Sequence, residues 1–522
     1  MKGSRIYSSF ATTLALVGTL AALIVTWPTP PSSTPPAPPT PAAVASAASP
    51  HADDAIGDSS VPVPVAQDAS AAELLGIGPL HTDGGNIVDA DGRVVHISGV
   101  NWFGLETRTF APQGLWARSL DSMLDQMVQD GFNTIRLPYS DQLFDPGSTP
   151  NGIDFQKNPD LQGLTGLQIM DQVINRAGRR GLKIILDRHR PTADGQSELW
   201  YTGTVSEQRW IDDMVVLADR YKGDPTVIGI DLHNEPHASA TWGDGSLATD
   251  WRLAAERGGD AVLEANPDWL IFVEGIEHQA DDWYWWGGNL SLAGRFPVKL
   301  SVPNKLVYEA HDYGPGVSNQ SWFQAPDFPQ NLASLWNSHW AYLKLTGVAP
   351  VLIGEFGGRS VGNDAEGVWQ RTLLAYLQLN GFDYTYWCWN PNSGDTGGIL
   401  EDDWTTVDSA KLALLQAYQW PLLGSALPAF TPPAVIAAYQ PPAAAPAPTP
   451  APAPATGDGA SFAIGGPFDP DPSHALAGLG GPKDSDAAHR QARQADEQRY
   501  LTQHGVAWPQ AVYVTGPELY RD

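Results

Sequence analysis

The sequence predicts an α/β fold, a single (β/α)8 TIM barrel, and three observations carry that expectation. Short aliphatic and β-branched runs recur through the middle of the chain, as buried parallel strands do. Helix-like stretches alternate with most of them, and several of those stretches stop at a glycine, as helix C-termini commonly do.

In order, the strand-like runs are Val94–Val100, Thr134–Leu137, Lys183–Asp187, Val227–Leu232, Leu270–Glu274, Leu306–His311, Val351–Gly354 and Tyr384–Trp389. The helical patterns are Leu120–Asp130 before Gly131, Thr165–Arg180 before Gly181 and Ser206–Tyr221 before Gly223. Asp250–Asn266, Leu332–Leu345 and Glu366–Asn380 before Gly381 follow. The fifth unit carries a long Trp-rich loop, Asp281 to Pro303, and no clear helix. Residues 74–423 hold all eight units, inside the ~200–400 residues usual for such barrels. A doubly wound open sheet is the alternative, but no glycine-rich phosphate turn follows the first strand.

The flanks have a different composition. Lys2 and Arg5 precede an apolar segment, Phe10 to Trp27, and no further charge occurs before His51. Residues 1–27 therefore read as an export signal or a retained membrane anchor, with anchoring through residues 6–27 in the second case. Ala45-Ser46-Ala47 resembles a signal-peptidase site but lies far beyond the apolar stretch, so both readings stay open. Either one puts the chain outside the cytoplasm, secreted or extracytoplasmic. Residues 28–73 read as a Pro/Ala-rich linker, and residues 424–456 as a second one. Residues 457–522 form a polar tail with too few periodic apolar residues for a confident domain.

Composition excludes some partners. The 58 acidic against 30 basic residues give a net charge of −28, which argues against nucleic acid or an anionic membrane surface. A neutral polymer is compatible. The 20 tryptophans exceed what packing usually demands and suggest stacking surfaces for flat apolar ligands such as sugar rings. Cys388 is the only cysteine, so no intramolecular disulfide and no Cys-based metal site can form. It reads as a packed thiol. The oligomeric state is open.

In a barrel of this kind the active site lies at the C-terminal ends of the strands. Those ends carry Arg136, His189, Asn234 with Glu235, His311 with Tyr313, Glu355, and Trp387 with Trp389. Any one of them could be a loop anchor or a packing group. Together they would put ionisable or aromatic groups from six strands on one rim. Glu235 and Glu355 are the minimal equipment for cleaving a glycosidic bond: one carboxyl donates a proton and the other attacks or activates water. The rim histidines each neighbour a residue with another role and no His-x-His run exists, so no metal or other cofactor is expected.

An ordered set of motifs carries a more specific reading. Asn101-Trp-Phe-Gly, Gly131-Phe-Asn-Thr-Ile-Arg-Leu-Pro138, Leu186-Asp-Arg-His-Arg-Pro191, His233-Asn-Glu-Pro236, His311-Asp-Tyr313, Gly354-Glu-Phe-Gly357 and Tyr386-Trp-Cys-Trp-Asn-Pro-Asn-Ser-Gly-Asp-Thr-Gly-Gly398 resemble glycoside hydrolase family 5. The likeness is nearest to its bacterial endo-β-1,4-glucanases, and it covers about Leu80 to Leu423.

The resemblance implies a retaining endo-acting cellulase with a β-glucan polysaccharide as substrate. It makes Glu235 the general acid/base and Glu355 the nucleophile. Arg136 and Tyr313 would hold the nucleophile, Asn234 would bond the sugar 2-hydroxyl, and His189 and His311 would position the sugar or the acid/base. Trp387 would lie under the ring at the cleavage point, with Trp389, Trp102, Trp200 and the Trp283–Trp286 cluster as weaker platform candidates. The acid/base pKa should be lifted by the nearby Glu355 anion, while Arg136 keeps Glu355 ionised. Mannan, xyloglucan or mixed-linkage glucan is the alternative substrate on the same scaffold. A glycan-binding surface protein without turnover is the alternative of a different class.

Overall fold

The computed structural model describes residues 78–423. The N-terminal apolar segment, both Pro/Ala-rich linkers and the polar tail lie outside the described residues.

Eight parallel strands close into a barrel. They are β1 Ser98–Asn101, β2 Thr134–Ser140, β3 Lys183–Arg190, β4 Val227–Asp231, β5 Leu270–Glu274, β6 Leu306–His311, β7 Val351–Glu355 and β8 Asp383–Tyr386. Each pairs with its neighbours in sequence, and β8 closes the ring on β1 through Tyr384, Thr385 and Tyr386 opposite Ser98, Gly99 and Val100.

The helices are α1 Leu120–Gln129, α2 Gly166–Gly178, α3 Glu207–Arg220, α4 Trp251–Ala265, α5 Asn331–Trp336, α6 Tyr342–Leu345, α7 Ala365–Asn380 and α8 Ser409–Gln416. Their starts follow from local chemistry. Ser119, Thr165, Ser206 and Asp364 each accept a hydrogen bond from a first-turn N–H, and Thr165 with Gln168 forms a reciprocal capping box. Gly131, Gly181, Gly223 and Gly381, singled out as stops, all have positive φ.

Three differences from the sequence reading concern boundaries. Residues 94–97 precede the sheet and β8 ends at Tyr386, although Val95, Ile97, Cys388 and Trp389 are all buried. The helix expected over Leu332–Leu345 is interrupted by a π-helical turn, Asn337–Ala341, that separates α5 from α6. A short helix, α8, was not expected. Between β5 and β6 the described residues contain no helix, as anticipated, but they do include a small hairpin, His278–Gln279 with Asp282–Trp283.

Two apolar clusters divide the interior. The larger packs the outer faces of the strands against the helices. The smaller joins Ile97, Ile185, Ile228, Leu270, Phe272, Val307 and Leu352 with Leu80, Ile87 and Leu423. Side chains two apart on a strand share a face. Asp187, Glu274 and Glu309 therefore stand directly above Ile185, Phe272 and Val307, toward the C-terminal end. The barrel carries an apolar floor and a charged upper layer. Cys388 is buried, with Sγ 3.4 Å from the Asn390 carbonyl.

Candidate active site

The charged layer is organised by Arg136 of β2, whose side chain is completely buried. Its Nη1 lies 2.9 Å from Glu355 Oε1 and 2.8 Å from Asp187 Oδ2. Its Nη2 reaches Asp231 Oδ2 at 2.6 Å, Asn234 Oδ1 at 3.0 Å and Glu274 Oε1 at 3.1 Å, and its Nε lies 2.9 Å from Glu309 Oε1. Burial alone would weaken the guanidinium's hold on its proton. The surrounding carboxylates, Asp187 and Glu309 foremost, reverse this and raise its pKa well above the ordinary value.

Glu355, the last residue of β7, accepts from Arg136 on one oxygen and from the Tyr313 hydroxyl on the other, at 2.7 Å. Glu235 stands just beyond β4 with φ of 52°, a left-handed conformation that costs a non-glycine residue energy. Its Oε1 is 3.0 Å from His311 Nδ1, and its Oε2 accepts from Gln196 Nε2 at 3.2 Å. An oxygen of Glu235, a ring nitrogen of His311 and an oxygen of Glu355 all lie within 4.8 Å of one another.

Asn234 accepts from Arg136 through Oδ1, which leaves its buried Nδ2 without a hydrogen-bond partner. That amide can donate to a ligand hydroxyl. His189 pairs through Nδ1 with Asp187 Oδ2 at 2.7 Å, and its ring is parallel to Trp387 at 5.6 Å. Burial, with the charges of Arg190 and Arg136 adding, pushes the His189 pKa well down and keeps the ring neutral. Trp387 is half-buried, stacked also on Phe103, and anchored by Nε1 to Ser393 Oγ at 3.1 Å.

Residues 88–393 match the family model for Cellulase (glycosyl hydrolase family 5). The chain belongs to glycoside hydrolase family 5. An endoglucanase of Paenibacillus polymyxa is 54% identical over 367 residues, an alignment spanning 70% of this chain and 91% of that one. Among solved structures, the catalytic domain of the major endoglucanase from Xanthomonas campestris pv. campestris matches with 45% identity and a TM-score of 0.61. That match covers 65% of this chain and 99% of that domain. An endocellulase variant from Pyrococcus horikoshii, in complex with cellotetraose, matches with 43% identity and a TM-score of 0.62, covering 65% of this chain and 98% of that one.

The structure brings Arg136, His189, Asn234, Glu235, His311, Tyr313, Glu355 and Trp387 into one constellation. It separates three weaker candidates from it. Trp389, Trp102 and Trp200 are fully buried. Their indole N–H groups go to Met123 Sδ, the Gln113 carbonyl and Glu207 respectively, so they are core residues with no face to offer a sugar. Aromatic-rich runs near strand ends mark packing as readily as binding. In the Trp283–Trp286 cluster, Trp285 is buried. Trp283 and Trp286 are exposed, each stacked on a histidine: His278 at 4.2 Å and His237 at 3.8 Å.

Sequence reasoning passed over the acids that surround Arg136. Asp187 and Glu274 closed two of the expected strands, and Asp231 and Glu309 lay inside two others. For Asp187, Glu274 and Glu309, a place two residues above an inward apolar position was the signal available; Asp231 follows Gly229 in the same way and lacked it. Gln196, a loop residue, carried no signal at all.

The electrostatics run against two expectations, a raised Glu235 and a Glu355 kept ionised by Arg136. Burial raises Glu235, but the hydrogen bond and charge of His311 outweigh it and hold the carboxyl below its ordinary range. Burial pushes Glu355 up to about 7, with His311 and Arg136 opposing and the Glu235 charge adding. His311, which burial would lower, is raised to about 10 by Glu355, Glu235 and Glu309. The three groups titrate together, and of them His311 holds its proton most firmly. Three donor sets in this site are close enough to suit a cation, and all of them contain His311 or a carboxylate paired with Arg136.

Proposed function

We propose that this glycoside hydrolase is an endo-acting β-1,4-glucanase that cleaves cellulose and related β-glucans with retention of configuration. The observation that carries the mechanism is the short gap between the two carboxyls. Retaining enzymes hold theirs roughly 5–5.5 Å apart, whereas inverting ones need roughly 6.5–9.5 Å to admit a water. Oxygens of Glu235 and Glu355 within 4.8 Å support direct attack.

In the first step Glu355 attacks the anomeric carbon, the glycosidic C–O bond breaks, and Glu235 delivers to the departing oxygen the proton it shares with His311 Nδ1. Arg136 and Tyr313 aim the nucleophile. In the second step Glu235, now a carboxylate, takes a proton from water. The water oxygen displaces Glu355, which leaves as the free carboxylate. Asn234 Nδ2 donates to the 2-hydroxyl, a contact that strengthens as positive charge develops on the ring. Trp387, braced by His189 and Phe103, lies flat beneath the sugar.

The polymer assignment rests on the relatives, which are named endoglucanase or endocellulase. The leading apolar segment, Phe10 to Trp27, supports export from the cytoplasm. Purified full-length protein is to be offered carboxymethylcellulose, mannan, xylan and xyloglucan, with products followed over time. Internal cleavage of carboxymethylcellulose above the others is expected; preferred cleavage of mannan or xyloglucan would move the substrate, and no cleavage of any would leave a binding protein. Glu355→Ala is expected to lose roughly 10⁴-fold or more in kcat. Azide should restore turnover of an activated substrate as an inverted glycosyl azide, and a variant that still hydrolyses normally would remove Glu355 from the nucleophile's role.

A further inference from the structure

Two buried carboxyls have no part in bond-making as described, yet they hold the groups that do. Glu274, the last residue of β5, accepts the Glu235 backbone N–H on Oε2 at 2.8 Å. Its Oε1 lies 3.1 Å from Arg136 Nη2 and 3.3 Å from His311 Nε2. Glu309 of β6 lies 2.9 Å from Arg136 Nε and 3.6 Å from the same His311 nitrogen. Glu274 and Glu309 are wholly shielded from solvent.

Unmatched acids in such a place are costly, because each ionised carboxylate loses its water. The surrounding backbone nevertheless reserves room for both. A side chain at Gly287 would fall on Glu274 Oε2, and one at Gly354 would fall on Glu309 Oε1. Two acid-sized spaces walled by glycines point to carboxyls that the site uses.

The use follows from what they touch. His311 Nδ1 is 3.0 Å from Glu235 and 3.6 Å from Glu355, so a small rotation of the ring would hand its proton to the wrong carboxyl. The ring's other nitrogen sets that angle, and it is held between Glu274 and Glu309 at ion-pair distance, without an aligned hydrogen bond. Glu235 itself sits in a left-handed conformation, and its N–H is tied to Glu274.

We propose that Glu274 and Glu309 are positioning residues of the acid–base step. They fix the His311 ring from beneath, Glu274 also fixes the Glu235 backbone, and the Nδ1 proton is thereby presented to Glu235 rather than to Glu355. This rests on the retaining reading above and deepens it. The charged groups facing His311 are Glu235 beyond β4, Glu355 of β7, Glu274 of β5 and Glu309 on its own strand, with Asp187 and His189 of β3 and Arg136 of β2 close by. Burial, with Asp231 and Glu309 adding, raises the Glu274 carboxyl well above its ordinary range, so Glu274 acts by contact, and Glu309→Gln is the change that loosens the imidazolium's proton.

The test uses full-length Glu274→Gln and Glu309→Gln, with kcat/KM measured against pH on a soluble cello-oligosaccharide and on an aryl cellobioside with a good leaving group. Cleavage of the oligosaccharide needs the proton; departure of the activated aryl group scarcely does. Each variant is expected to lose about tenfold or more on the oligosaccharide and less than about threefold on the aryl substrate. In Glu309→Gln the basic limb of the oligosaccharide profile should also move about one unit toward acid. Folded variants with unchanged profiles, or with equal losses on both substrates and an unmoved limb, would overturn the proposal.

Should Glu274→Gln lose cooperative unfolding, Glu309→Gln, which leaves the Glu235 backbone bond intact, decides; loss of folding in both would assign the pair to stability and sink the idea. The azide experiment on Glu355→Ala reads the double displacement separately. Its success alongside unaltered Gln variants removes only the positioning role.

Discussion

At the scale of single residues, the distinction between Glu235 and Glu355 lies in their donors. Glu355 is gripped from two sides by groups that cannot give up a proton easily, Arg136 and Tyr313. Glu235 instead faces His311, which can. Glu235→Gln keeps the shape and the contact but has no proton to lend. It is expected to lower kcat/KM on cello-oligosaccharides by roughly 10²–10⁴-fold while sparing activated aryl cellobiosides, as read by steady-state kinetics on both. Equal damage to the two substrates would take the acid role from Glu235. The eight residues of the constellation were legible because they cluster in six motifs at or near the C-terminal ends of strand-like runs. The carboxyls around Arg136 were not, since a charge within a strand reads as a boundary until the closed ring reveals an interior.

At the scale of elements, strands were read well in number and poorly at their ends. Buried parallel strands give continuous apolar runs, and so does any buried chain. Val95, Ile97, Cys388 and Trp389 are buried outside the barrel strands, and periodicity reports burial, not pairing. The same limit hides the π-helical turn at Asn337–Ala341, where the apolar spacing continues across the interruption. Helix starts were more legible because capping is local chemistry. Thr165→Ala removes one half of the capping box before α2 and should destabilise the fold by about 1 kcal/mol, measured by urea unfolding, with activity on carboxymethylcellulose unchanged. A larger loss, or a loss of activity, would mean that the first turn of α2 supports the site.

At the scale of the whole molecule, protons stabilise this fold in a defined range. Burial pushes Glu106 from an ordinary 4.5 up to about 7, with Arg190 opposing. Burial likewise pushes Asp312 from 3.8 up to about 7, although Tyr284, Trp369 and Trp336 all donate to it. In the folded chain both carboxyls keep a proton that the unfolded chain has already released. Their contribution is therefore full below about pH 4 and is lost as pH rises to about 7. The urea midpoint should fall over that range, and Glu106→Gln should flatten part of the slope. A midpoint that climbs steadily from pH 4.5 to 7.5 would contradict this.

The lone sulfhydryl at position 388 offers an unplanned convenience. It is sealed beside the cleavage site, and burial raises its pKa well above the ordinary value, so reagents that modify thiolates meet nothing on the native surface. Labelling then waits for the barrel wall to open. Because there is no second thiol anywhere in the chain, every mole of label counts one opening event, and the natural sequence serves as its own single-site clock for how long the enzyme survives on solid substrate.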